Sequence, residues 1–151
     1  MKIYIASDHA GFALKAELVP FLLARGFEVF DCGPEEYVNN DDYPNYISLV
    51  AEKISEHPQA QVKGIIIGSS GQGEAMVANR FAHVRCAVFY GGPKHVLTLS
   101  REHNNANVLS LGAHFLTGED AKKAVLLWLG TNFSKEERHI RRIAEIEKYS
   151  K

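Results

Sequence analysis

Five short apolar runs, at residues 3–6, 27–30, 64–67, 86–89 and 108–111, recur along the chain, separated by segments long enough to hold helices. That alternation specifies a βαβ series: a parallel sheet with both faces covered, right-handed crossovers, and ligands gathered at the carboxyl ends of the strands. A chain of 151 residues, 46% of them hydrophobic, supports one such domain spanning 1–151 rather than two. Between the first two runs, Leu14, Leu18, Phe21 and Leu22 fall at helical spacing over 12–25, with Gly26 as the stop and Pro20 predicting a kink. The polar stretch 33–44 (GPEEYVNNDDYP) is the longest loop. In the C-terminal helix, Ser134 is the expected N-cap and Glu137 completes a capping box.

Charge and cysteine usage remove several function classes. With 17 basic and 18 acidic residues the net charge is -1, so no global field recruits nucleic acid or an anionic membrane, and any anion site must be local. Cys32 and Cys86 offer neither a disulfide framework nor paired metal-ligand spacing, and free thiols make the cytoplasm the expected location. The opening MKIYIASDHAG reads as neither a signal peptide nor a membrane span.

The segment 64–79 (GIIIGSSGQGEAMVAN) runs as a buried strand, breaks into Gly68, Gly71 and Gly73, and then turns helical. Such a turn lets backbone amides approach an anion closely. It is not a Walker loop, because no Lys-Ser or Lys-Thr pair follows, and its spacing does not match GxGxxG. Ser70 and Glu74 at its mouth supply a hydroxyl that can pass a proton and a carboxylate that can remove one. Equally, Ser70 could cap the helix and Glu74 complement its dipole. The dipole would lower the Glu74 pKa whereas a base benefits from a raised one, so burial has to outweigh it.

Three further groups carry polar chemistry. Asp8 and His9 follow the first strand at its carboxyl end, as ligand groups or as a helix cap and an exposed ring. Arg101, Glu102, His103, Asn104 and Asn105 form a polar patch before the last strand. Arg138 and Arg142 share a helix face that either binds an anion or stays solvated, with Glu136, Glu137 and Glu145 near enough in sequence to neutralise it.

Taken in order, SDHAG, DDYP, GSSGQGE, REHNNAN and RHIRR resemble the ribose-5-phosphate isomerase B and galactose-6-phosphate isomerase family over nearly the whole chain. The resemblance implies a doubly wound, Rossmann-like parallel five-stranded sheet and no metal or redox cofactor. It also implies homodimers with active sites at the interface, and leaves a tetramer open. It places Asp8, His9, Tyr43, Ser70, Glu74, His103, Asn104, Arg138 and Arg142 at functional positions. Many members carry a cysteine where this chain has Gly68, so cysteine catalysis is excluded there and Glu74 is assigned as base. Ser69 stands for a glycine of the related pattern, Gln72 for an asparagine, and His114 for an arginine near the phosphate.

The expected reaction is interconversion of ribose 5-phosphate and ribulose 5-phosphate. His103 and Asp8 assist ring opening, and Asn104 and Tyr43 fix hydroxyls. Glu74 moves the carbon-bound proton, Ser70 moves hydrogen between oxygens, and amides of the Ser69, Gly71 and Gly73 turn hold the enediolate. Arg138, Arg142, His9 and His114 bear on the phosphate. The rivals are a six-carbon specificity for allose or galactose 6-phosphate, and a phosphosugar sensor that would have no use for a base. A receiver-type or flavodoxin-like domain shares the alternation, but a receiver would want an acidic pair after the first strand and an acceptor aspartate after the third, where this chain has glycines and serines.

Overall fold

The computed structural model describes residues 1–58 and 61–149. Its strands are β1 (Lys2–Ser7), β2 (Glu28–Asp31), β3 (Val62–Gly68), β4 (Cys86–Phe89) and β5 (Val108–Gly112). Its helices are α1 (Phe12–Leu23), α2 (Pro44–Glu56), α3 (Gln72–Ala78), α4 (His95–Glu102), α5 (Gly118–Gly130) and α6 (Glu137–Glu147). The strands form one five-stranded sheet in the order β2-β1-β3-β5-β4, every pair parallel. This is the alternating α/β architecture expected from the five apolar runs.

Alternation along each strand explains the two faces. Ile3, Ile5, Ile65, Ile67, Leu109 and Leu111 pack with α1, α4 and α5 around Trp128, whereas Ala6, Ile66 and Val108 pack with α2 and α3 through Ile47, Val50, Ile54 and Ala78. Each fully buried aliphatic side chain contributes roughly 1.5–3 kcal/mol, so the central strands β1, β3 and β5 hold the fold together. The chain leaves β1 toward β2 on one side and later crosses to β3 on the other, so the strand order reverses between β1 and β3. That reversal opens a crevice at their carboxyl ends.

Two local expectations need correction. Ser134 does not cap α6: the helix begins after Glu136, which makes no side-chain cap bond. Lys135 turns the chain with φ of 58°, leaving Ser134 outside the helix, where its Oγ lies 2.9 Å from His139 Nδ1. Helix α1 stops at Leu23, short of Arg25, with Pro20 inside it. Its buried Lys15 reaches across to donate from Nζ to Asp31 Oδ1 and Pro34 O, both at 2.7 Å, fastening the root of the 33–44 loop. No described helix is long and apolar enough to cross a membrane.

Candidate active site

At the crevice, β1 hands the chain to Asp8 and His9. Asp8 is 5% exposed, and its Oδ1 accepts from Gly11 N at 2.9 Å, so the helix-capping bond is present. That bond occupies one oxygen and leaves the other for a ligand. His9 is fixed by a residue without an expected role: Asp41 Oδ1 accepts from the His9 amide at 2.9 Å and lies 2.7 Å from the ring Nδ1. The Asp41 hydrogen bond, then the negative charges of Asp8 and Asp41, raise the His9 pKa against the opposing effect of burial. Only the DDYP motif pointed to Asp41, and two adjacent acids in a polar loop do not reveal which one turns inward.

Strand β3 ends at Gly68 and turns through Ser69, Ser70 and Gly71 into α3. Gly71 has φ of 78°, the left-handed region where a side chain is strained, and a Cβ there would come within 2.9 Å of Ser110 Oγ. Ser110 in turn donates to Gly71 O at 2.6 Å and holds the turn to β5. Ser70 Oγ accepts from Gln72 N at 3.3 Å, but the N-cap of α3 is Gly71 and no side chain caps the helix. Glu74, in the first turn of α3, is 4% exposed. Its carboxylate lies against Gly68, in the space a Cβ on that residue would need. Burial raises the Glu74 pKa and Asp8 adds to the rise, while a backbone hydrogen bond opposes it. Burial therefore outweighs the backbone hydrogen bond, and the Glu74 carboxyl holds its proton more tightly than an ordinary glutamate.

Two neighbours close the crevice. Tyr43 precedes α2 and lays its hydroxyl over Gly73, where a Cβ would meet Oη at 2.7 Å. His114, past the end of β5, has Nδ1 2.8 Å from Ser69 Oγ and its amide 3.1 Å from Ser69 O. Two of the departures from the related pattern, Ser69 and His114, are thus hydrogen-bonded to each other.

The remaining expected residues lie elsewhere. Helix α4 starts beyond the carboxyl end of β4 and ends where β5 begins, so its C-cap His103, with Asn104, sits at the amino end of the strands. The five residues of β5 separate that end from the crevice by about 13 Å. There the His103 ring lies 4.2 Å from that of His139, the one buried residue of α6. Burial first, then His103 and Arg138, lower the His139 pKa. Arg138 is exposed and pairs through Nε with Glu136 Oε2 at 2.8 Å, and Arg142 is exposed. Within one chain the structure brings together Asp8, His9, Tyr43, Ser69, Ser70, Gly71, Gly73, Glu74 and His114. It leaves His103, Asn104, Arg138 and Arg142 apart from them.

Among the described residues, only Asp8, His9 and Asp41 cluster closely enough to suggest a cation site, their donor atoms lying within 4.8 Å of one another. The 2.7 Å separation of Asp41 Oδ1 from His9 Nδ1 is that of a hydrogen bond, with a proton between them. The two carboxylates push the His9 ring toward its protonated form.

The sequence profile of the family described as Ribose/Galactose Isomerase matches residues 3–146. The chain belongs to that family. Over 151 residues, all of this chain and 92% of the relative, it is 36% identical to ribose-5-phosphate isomerase B of Mycolicibacterium paratuberculosis. It is 38% identical over 146 residues to ribose-5-phosphate isomerase B of Escherichia coli, covering 96% of this chain and 93% of that one. The crystal structure of ribose-5-phosphate isomerase B from Mycoplasma genitalium with bound ribulose-5-phosphate matches with a TM-score of 0.92 at 38% identity, over 98% of this chain and 95% of that one. The doubly wound ribose/galactose isomerase fold expected from the motifs is therefore the one this chain adopts.

Proposed function

We propose that the chain interconverts ribose 5-phosphate and ribulose 5-phosphate through an enediolate, with Glu74 as the general base. The observation that carries this reading is a buried carboxylate with a raised pKa, lying against the bare α-carbon of Gly68 and beside Asp8 in the crevice. The names of the relatives and the ribulose-5-phosphate bound in the Mycoplasma protein support the substrate. Glu74 takes the proton from the carbon beside the carbonyl and returns it to the former carbonyl carbon, while Ser70 moves hydrogen between the two oxygens. Amides of the 69–73 turn stabilise the intermediate charge. Asp8 assists ring opening, Tyr43 meets a sugar hydroxyl, and His9 and His114 face the phosphate.

His103, Asn104, Arg138 and Arg142 enter this scheme from a second copy of the chain. They lie at the opposite end of the sheet from Glu74, so a homodimer in which the amino end of one sheet meets the carboxyl end of the other completes two sites. The cytoplasm is the compartment in which we expect it to act, with neither metal nor redox cofactor.

The Ser69–His114 hydrogen bond favours a second reading, turnover of a six-carbon aldose phosphate, because it alters the end of the crevice where the phosphate would lie. The deciding experiment measures interconversion of ribose 5-phosphate and ribulose 5-phosphate in the presence of a chelator, with allose and galactose 6-phosphates in parallel. Pentose turnover supports the first reading, and turnover of a hexose phosphate alone supports the second. Binding without turnover would leave a phosphosugar sensor.

A further inference from the structure

Asp41 is placed at a cost that a loop tether would not need. Its side chain is 3% exposed, and its Oδ2 is buried with no hydrogen-bond partner among the described residues. A buried carboxylate oxygen without a donor is destabilising, and an asparagine could accept the same two bonds from His9 without carrying charge. What distinguishes an aspartate is its negative charge beside an imidazole. His9 has 31% of its side chain exposed, with Asp41 behind Nδ1, Asp8 beside it, and the Tyr37 ring edge-on at 6.5 Å.

We infer that Asp41 is a positioning residue for the isomerase proposed above: it fixes the His9 ring and keeps Nε2 presented as a cationic donor to the phosphate of the sugar. The amide bond fixes the backbone of His9, and the ring bond selects the orientation of the imidazole. With Nδ1 committed to Asp41, only Nε2 remains for a ligand. The titratable groups facing the ring are Asp8, Asp41 and Tyr37. The two carboxylates favour the imidazolium, consistent with the raised pKa of His9. In the proposed dimer, Arg138 and Arg142 of the second copy would approach from the phosphate side and oppose protonation, and the two carboxylates offset them.

The inference rests on the isomerase reading, so its test has one arm that does not need turnover. The ring nitrogens of His9, identified by their loss in His9→Asn, are titrated by NMR in the wild type and in Asp41→Asn. We expect the wild-type ring to stay protonated to higher pH than the histidine of a short unstructured peptide, and Asp41→Asn to remove that difference. In kinetics at pH 8, Asp41→Asn should raise KM for ribose 5-phosphate about tenfold with kcat little changed. In the His9→Asn background the same substitution should add nothing. A His9 ring that titrates like the peptide histidine overturns the inference, and the wild type alone answers that. So does an Asp41→Asn effect that persists in full without His9, since it would mark a loop tether. A wild type that turns over no sugar phosphate, with His9 titrating as expected, would instead sink the isomerase reading.

Discussion

The Glu74 carboxylate occupies the space beside the α-carbon of Gly68 that any larger residue would fill. The two positions are coupled: a side chain at 68 and a carboxylate delivered from 74 compete for one volume. Gly68→Ala should displace the carboxylate, destabilise the fold by about 1–3 kcal/mol through overpacking, and lower kcat about a hundredfold or more. Urea denaturation alongside steady-state kinetics would check both effects. The double variant Gly68→Ala/Glu74→Ala should recover stability without activity.

Glu74→Gln separates chemistry from stability. Its kcat should fall by roughly 10²–10⁴-fold, the range for removing a general base. The raised pKa of Glu74 means that the folded chain holds this proton more tightly than the unfolded one. Stability therefore falls as pH rises from the ordinary carboxylate value through the raised one, and at pH 7 the buried charge is a net cost. The glutamine variant should melt above the wild type at pH 7, and the gap should close as the pH is taken below the ordinary glutamate range. Calorimetry across that window would read the sign directly.

If complementary halves of the site come from two copies, two dead variants should rescue each other. Refolding Glu74→Gln together with His103→Asn gives mixed dimers in which one of the two sites is intact. About a quarter of wild-type activity should return, from half of the dimers carrying half of their sites. No recovery on mixing would mean that His103 serves the crevice of its own chain.

His114→Arg should break the contact with Ser69 Oγ and put a permanent cation in the turn. KM for ribose 5-phosphate should fall, because a guanidinium fork suits phosphate oxygens better than an imidazole. An unchanged KM would place His114 away from the phosphate.

The architecture was legible because period-two alternation and strand-helix order are local properties: Ile65, Ile66 and Ile67 disclose by themselves a strand buried on both faces. The crevice was legible in part. Asp8, Ser70 and Glu74 follow strands, and strand ends are where ligands gather. Asp41 and His139 were not, since each acts through a contact from a distant segment, Asp41 onto His9 and His139 onto His103. The Ser134 cap failed for a related reason. The chain turns left-handed at Lys135 where Ser134 N donates to Glu102 O at 3.1 Å, a contact with a distant segment that the S-x-x-E spacing does not encode.

The Lys15 anchor has a consequence for how this scaffold diverges. One end of the 33–44 loop is fastened at Pro34 by a buried ammonium, and the other is fixed by Asp41 and by Tyr43 at the start of α2. Residues 35–40 between them are exposed. Insertions or deletions at 38–40, past the Tyr37 ring that lies edge-on to His9, would leave both anchors in register, so the loop can change length there without disturbing the groups held beside the substrate.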